Sequence, residues 1–319
     1  MSLVIRVPSK SFFAGEYSAL NGGPAIIVAT APRFELRVRA GAGFTMGIHK
    51  ESPAGKLIQQ HSLFFNQFDL EFFDPHMGRG GWGASTAQFL AAYRLLHWQG
   101  SADPEGDQES YFDHENLTSP MVLGLLESYK QLAWDGRGLP PSGADLVGQL
   151  KGGITFFEKR QKLITSLKWA FSDLEFYLIP TGAKVATHHH LQELSGFNTD
   201  LLESSVRRVH RAFTSASQTD LIEGLHFISK ELEDQHLVFQ STQEYLKSLN
   251  SIPGVLAAKG CGALGADVVL VVTQKSKSVL FEALLKDEKK PYFSRHHISK
   301  GLEIQVNGEM NIKPYHAGI

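Results

Sequence analysis

A chain of 319 residues, 42% of them hydrophobic, can bury a sizeable core and is long enough for two ordinary domains or one large one. Its charged residues, 20% of the total, nearly balance to a formal net charge of −2, the wrong sign for a protein that binds by neutralising phosphate backbones, so nucleic acid is a poor partner. The single cysteine, Cys261, excludes an internal disulfide and a cysteine-built zinc cage, and fits a reducing cytoplasm.

The first residues, Met1 to Val7, show neither the basic start nor the apolar stretch of a signal peptide, which leads to a cytoplasmic reading. Leu3, Ile5 and Val7 alternate along a first predicted strand; Phe34, Leu36 and Val38 alternate with Glu35, Arg37 and Arg39 along a second. Helical spacing follows at Phe89, Ala92, Tyr93 and Leu96, in a helix expected to reach about Trp98. It returns at Val122, Leu126, Tyr129 and Ala133, where Ser119-Pro120 reads as a cap and a first-turn proline. The acidic stretch from Gly100 to Glu115 between them reads as a surface loop. Beyond Lys168 the pattern gives a strand at Phe176 and Leu178, helices through Leu202 to Phe213 and Leu221 to Leu232, and a strand from Val268 to Thr273. A helix at Val279 and Ala283 and a strand at Leu302, Ile304 and Val306 follow. A boundary near 160–172 divides the chain into 1–168 and 169–319. The apolar run from Val255 to Val272 is broken by Lys259 and Asp267 and cannot cross a bilayer, which takes roughly 20 apolar residues.

Three glycine-rich segments carry the candidate chemistry. Pro8 to Tyr17 holds Lys10 and Glu16 near a strand end. Gly78 to Ala87 runs into the first helix: glycines there let backbone N–H groups converge on an anion, the helix N-terminus adds partial positive charge, and Ser85 and Thr86 offer hydroxyls to a phosphate or a magnesium ion. Gly78, Gly80 and Gly83 also spell a dinucleotide-binding pattern, but Phe73 to Met77 is not the buried strand that such a site needs, and no Gly-Lys-Ser/Thr follows to make a Walker loop. Lys259 to Asp267 joins a loop to a strand, with Cys261 reading as a small buried residue.

As a set, and in order along nearly the whole chain, these segments resemble the motifs of the GHMP kinase superfamily. Pro8, Lys10, Gly15, Glu16 and Tyr17 resemble its first motif, and Gly81, Gly83, Ser85 and Ala87 its second, with Trp82 and Ala84 as departures. Lys259, Gly262, Ala263 and Gly265 resemble its third, with Leu264 and Ala266 as departures. Pro141-Ser142-Gly143-Ala144-Asp145 with Gly152-Gly153, and Thr181-Gly182 with Ala186-Thr187, are similar to segments of the isoprenoid-pathway members. Tyr17, Leu146 and Asp267 lean the resemblance toward phosphomevalonate kinases, with mevalonate kinases the near neighbour.

The resemblance implies a two-domain α+β fold, with a left-handed βαβ unit in the N-terminal domain, a ferredoxin-like C-terminal domain and the active site in the cleft between them. It implies ATP and Mg2+, with Gly80, Gly81, Gly83, Ala84, Ser85, Thr86, Lys259 and Gly262 on the nucleotide and Ser85 on the metal. Lys10 offsets charge at the transferring group and Asp145 orients the acceptor; Glu16, Tyr17, Ser142, Gly143, Thr187 and Ala263 touch that acceptor, phosphomevalonate or a mevalonate-like molecule, in a monomer or homodimer. Asp135 and Glu127 are candidate acidic metal ligands, and both also read as solvated helix-end acids. His188-His189-His190 point in different directions on any regular element, which argues against one shared ion; contact with a substrate phosphate is the alternative. Arg207, Arg208 and Arg211 form a basic helix face, solvated or serving a phosphorylated substrate. A relative that kept this fold and lost catalysis, binding small molecules only, is the rival of a different class.

Overall fold

In the computed structural model, which describes residues 2–98, 120–182 and 197–307, the chain opens on a long antiparallel hairpin of β1 (Ser2–Ala14) and β2 (Pro24–Ala40). The period-two pattern has its expected result: Leu3, Ile5 and Val7 on β1 and Phe34, Leu36 and Val38 on β2 are fully buried. β2 is too long for one further partner. Its first part pairs with β5 (Ile154–Glu158), which carries β6 (Leu163–Leu167), and its last part pairs with β4 (Phe68–Phe73), flanked by the short β3 (Thr45–Met46).

Helices α1 (Pro53–Gln60), α2 (Ser62–Phe65), α3 (Ala84–Leu96), α4 (Pro120–Ala133) and α5 (Ala144–Lys151) accompany this sheet. α3 packs on β1 and β2 and also against α1, α4 and α5, so it has almost no polar face: Phe89, Leu90, Ala91, Ala92 and Leu95 are all fully buried. Ser52 caps α1 by accepting from Gly55 N at 3.1 Å, with Pro53 in the first turn.

The second sheet holds β7 (Leu174–Pro180), β8 (Val255–Cys261), β9 (Val268–Gln274) and β10 (Phe293–Ser294) in the spatial order β10-β7-β9-β8, antiparallel throughout. Helices α6 (Asp200–Ser215), α7 (Gln218–Asp234) and α8 (Gln240–Asn250) lie between β7 and β8 in sequence, and α9 (Ser278–Asp287) lies between β9 and β10. This is the split βαβ arrangement of a ferredoxin-like layer. The apolar run from Val255 to Val272 is β8, a tight turn and the start of β9 rather than one element.

The chain then returns to the first sheet, where β11 (Glu303–Asn307) pairs with the far edge of β1, Arg6 opposite Glu303. The two sheets meet at Phe13, whose ring packs edge-on against Phe176 of β7 at 5.9 Å and Phe213 of α6 at 5.5 Å. Such aromatic pairs add about 0.5–1.5 kcal/mol each beyond the area they bury. No helix among the described residues is long and apolar enough to cross a membrane.

Candidate active site

Lys10 lies inside β1, opposite Ala29 of β2, rather than near a strand end. Its residue is 7% exposed, its ammonium stands 2.9 Å from Asp145 Oδ1, and it lies 4.9 Å from the centre of the Phe12 ring. Asp145 occupies the first turn of α5, where the N-terminal partial charge favours a carboxylate. The chain enters that helix through Gly143 at φ 81, and Ser142 Oγ accepts from Ala144 N at 3.2 Å. An ion pair thus joins the first glycine-rich segment to the helix that follows Pro141-Ser142-Gly143.

The loop from Gly80 reaches α3 through two left-handed residues, Gly81 (φ 87) and Gly83 (φ 81). A side chain at either would collide: a Cβ on Gly81 would lie 2.6 Å from Asp267 Cβ, and one on Gly83 2.9 Å from Lys10 Cε. Gly83 caps α3 without a side-chain acceptor, leaving first-turn N–H groups for an anion. Trp82 turns its side chain inward, 1% exposed, stacked on His76 at 5.1 Å and edge-on to Phe293 at 4.6 Å; only its backbone serves the loop, and its carbonyl accepts from Lys10 N at 3.0 Å. Ser85 is exposed in the first turn of α3, whereas the Thr86 hydroxyl, expected to serve the nucleotide, gives its proton to Gln149 Oε1 at 2.6 Å.

Lys259 departs from its expected role as a nucleotide contact. It is wholly buried in β8, on which α7, α8 and β1 all pack, and its ammonium is held by Glu16 Oε1 at 2.9 Å and the Gly260 carbonyl at 2.8 Å. Burial opposes its charge, but Cys261 and Glu16 lift its pKa above the ordinary lysine value. Glu16 is correspondingly tied down; its side chain is 7% exposed. Cys261 is buried as expected, and burial raises its thiol pKa. Tyr17 Oη accepts from Leu264 N at 3.0 Å, and burial pushes the phenol well above its usual range, so it stays neutral.

These segments enclose two adjoining chambers. The larger, about 610 Å³, is lined by the Gly78 to Thr86 loop together with Lys56, Arg79, Leu132, Trp134 and Asp135. The smaller, about 140 Å³, is lined by Ser11, Glu16, Tyr17, Ser142, Gly143, Gly262 and Ala263. Lys10, Asp145, Tyr129 and Asp267 face both, so the ion pair stands at the passage between them.

Of the other candidates, Asp135 lines the large chamber while Glu127 lines neither, taking Gln131 Nε2 instead. Arg207 is spent in a two-point contact with Glu158, and Arg208 on Asp220 and Glu223, so neither serves the site. Thr187 and His188 to His190 lie outside the described residues. Among the described residues no group of three or more His, Cys, Asp or Glu is placed to hold a metal ion. Sequence reasoning missed Gln149, Tyr129, Lys56 and Trp134 as site residues. Asp267 entered only as a closing letter of the third motif; the fold sets it against Gly81 and Gly262, which no sequence signal showed.

No protein-family model matches the chain, and no curated protein matches it. Solved structures do. A Lin0012 protein from Listeria innocua superposes with a TM-score of 0.71 at 15% identity, over 96% of this chain and 100% of that one. The Streptococcus pneumoniae phosphomevalonate kinase in complex with phosphomevalonate and AMPPNP gives 0.68 at 15% identity, over 92% and 99%. The Lactococcus lactis galactokinase complexed with galactose gives 0.71 at 11% identity, over 95% of each. Mevalonate kinases and a homoserine kinase share the architecture too, and with these four kinase types as its structural neighbours the chain has the fold of the GHMP kinases.

Proposed function

We propose that the chain is an ATP-dependent kinase of a small hydroxyl- or phosphate-bearing molecule. The observation that carries this is the Lys10–Asp145 ion pair at the passage between a large chamber floored by a glycine loop and a small one beside it. The large chamber fits a nucleoside triphosphate: Cβ-free backbone at Gly81 and Gly83 and the start of α3 for the phosphates, Lys56 and Arg79 for charge, and Leu132 and Trp134 for the base. In transfer, an acceptor oxygen in the small chamber bonds to the γ-phosphorus, the bond to the bridging oxygen breaks, and ADP departs. Lys10 offsets charge on the moving phosphoryl group; Asp145 orients the acceptor and takes its proton when it is an alcohol. Ser85, exposed beside the loop, and Asp135 in the same chamber would hold Mg2+ together with phosphate oxygens and water, and the ion would supply charge neutralisation.

The acceptor we favour is 5-phosphomevalonate, or mevalonate itself. Support comes from the Pro141 to Asp145 segment, which forms the Gly143 turn and the start of α5, and from the likeness of fold to a phosphomevalonate kinase. One observation favours a second reading, an uncharged hydroxyl acceptor such as a sugar or amino alcohol. Among the described residues lining the small chamber, Lys10 is the single cation and is already paired with Asp145; Asp267 adds a carboxylate, while Glu16, also on the lining, is held by Lys259. The deciding experiment is ADP release from Mg-ATP with 5-phosphomevalonate, mevalonate, homoserine and galactose in turn. Turnover on either isoprenoid acceptor supports the first reading, and turnover on homoserine or galactose alone supports the second. Tight ATP binding with turnover on none points to a binding protein that kept the fold, and absence of ATP binding overturns the kinase reading.

A further inference from the structure

Gln149 has no role in any motif, yet it is fully buried beside the phosphate loop and has all of its amide committed. Nε2 donates to the Pro8 carbonyl at 2.8 Å and to the Gly83 carbonyl at 3.1 Å, and Oε1 accepts from Thr86 Oγ1 at 2.6 Å. Two carbonyls and one hydroxyl fix which end of the amide is nitrogen, since the reverse orientation would set an oxygen against two oxygens. The three partners belong to three different parts of the site. Pro8 is on β1 two residues before Lys10, Gly83 and Thr86 frame the start of α3, and Gln149 stands one helical turn beyond Asp145, on the same face of α5.

The Gly83 contact reaches the chemistry through the geometry of one peptide. In a trans peptide the C=O and N–H point in opposite directions. A Gly83 carbonyl drawn inward to Gln149 Nε2, and to Ala87 N at 2.9 Å, therefore turns the Ala84 N–H outward, toward the large chamber that Ala84 lines. We propose that Gln149 is the positioning residue of this site: it holds the Gly83–Ala84 peptide with its N–H facing the nucleotide phosphates and sets that donor in register with Lys10 and Asp145. The proposal rests on the kinase reading of the large chamber.

The test is calorimetric titration of wild type, Gln149→Met and Gln149→Glu with Mg-ADP and, separately, with adenosine, alongside thermal melts. Methionine keeps the length and loses every hydrogen bond. Gln149→Met should weaken Mg-ADP about 10- to 100-fold, the worth of one well-aimed N–H to a charged oxygen, and leave adenosine binding as it is. Gln149→Glu should be similarly weak at a pH high enough to ionise the new carboxyl, which then faces two carbonyls, and should recover as the pH falls and it regains an O–H to donate; Gln149→Met should not recover. Equal losses for Mg-ADP and adenosine, or wild-type Mg-ADP affinity in a folded Gln149→Met, would overturn the positioning role. Wild-type protein that binds neither ligand would instead overturn the kinase reading beneath it.

Discussion

Replacing Lys259 with methionine removes the ammonium that Glu16 Oε1 meets at 2.9 Å and strands a carboxylate whose side chain is 7% exposed. At that distance and an effective dielectric of about 20 the attraction is worth about 6 kcal/mol, most of it spent offsetting the desolvation of both charges. What the substitution exposes is the uncompensated penalty on Glu16, about 3–5 kcal/mol for a broken buried pair, a large share of the 5–15 kcal/mol that holds an ordinary domain together. The lost bond to the Gly260 carbonyl, at 2.8 Å, works in the same direction. Urea unfolding reads this as a fall in midpoint at constant slope. The double variant Lys259→Met with Glu16→Gln should regain more than half of the loss, because no unpaired charge remains. Since Lys259 lines neither chamber, the single variant should bind Mg-ATP with close to wild-type affinity at a temperature where it is folded. The pH dependence has a definite sign. A lysine pKa raised in the fold contributes stability that is fully present below its unfolded value of about 10.4, and loses it only as pH climbs through the higher folded value, so titration through neutrality leaves the pair intact. A Lys259→Met protein as stable as wild type, or one that is stable but has lost its nucleotide affinity, would refute the reasoning and return Lys259 to the phosphates.

Asp145→Asn keeps the shape of the side chain and removes its charge; kcat with an alcohol acceptor should drop about 10²- to 10⁴-fold, less with a phosphate acceptor, and wild-type turnover would sink the assignment. Gly83→Ala must hold a side chain at φ 81 with Cβ 2.9 Å from Lys10 Cε and 3.0 Å from Gln149 Nε2. It should lose at least about 1–2 kcal/mol and bind Mg-ADP more weakly, and a variant that melts and binds like wild type speaks against the cradle. Burial, with Arg94 and His61 nearby, lowers His97 to about 4. Its unfolded form therefore binds a proton first, and stability falls as pH drops from about 6.5 toward that value, by at most about 1.4 kcal/mol per pH unit. His97→Gln should flatten this limb in pH-dependent urea melts, and an unchanged limb would show that His97 is not its source.

The Gly81–Gly83 turn shows in one dimension, as glycines where φ > 0 is needed, whereas Lys10 and Asp145 became candidates only through the family resemblance, since a lysine near a strand end says little by itself. Depth was not legible. Lys259 sits in a motif whose letters give no hint that α7, α8 and β1 all pack on β8. The Arg207–Arg208 face read as free charge because its partners, Glu158 on β5 and Asp220 and Glu223 on α7, come together only through tertiary packing. Gln149 carries no charge and repeats in no pattern, and its meaning lies wholly in which three carbonyl and hydroxyl oxygens surround it. The ferredoxin-like order of the second sheet, similarly, came from the resemblance and not from periodicity, since alternation says which residues are buried but not which strands are neighbours.

The departures within the motifs bear on whether the loops still work as loops. Trp82 stands where the second motif has an apolar residue, and it points inward onto His76 and Phe293, so the backbone beside it is left as free to meet a phosphate as it would be with a smaller side chain. Leu264 replaces a glycine and still adopts the glycine conformation, φ 52 and ψ 27, at a cost of about 1–2 kcal/mol. Its two backbone groups hold it there: its N–H donates to Tyr17 Oη at 3.0 Å and its carbonyl accepts from Phe239 N at 3.0 Å. Asp267 lies against both Gly81 and Gly262, so the second and third loops meet at its side chain. The shape that the motif encodes in letters is thus kept by packing and hydrogen bonds, and lost glycines are by themselves no argument for lost catalysis. The argument against catalysis has to come from the acceptor side, where Lys10 is paired with Asp145 and no other cation is among the described residues lining the small chamber, which makes the charge of the acceptor the property to measure first.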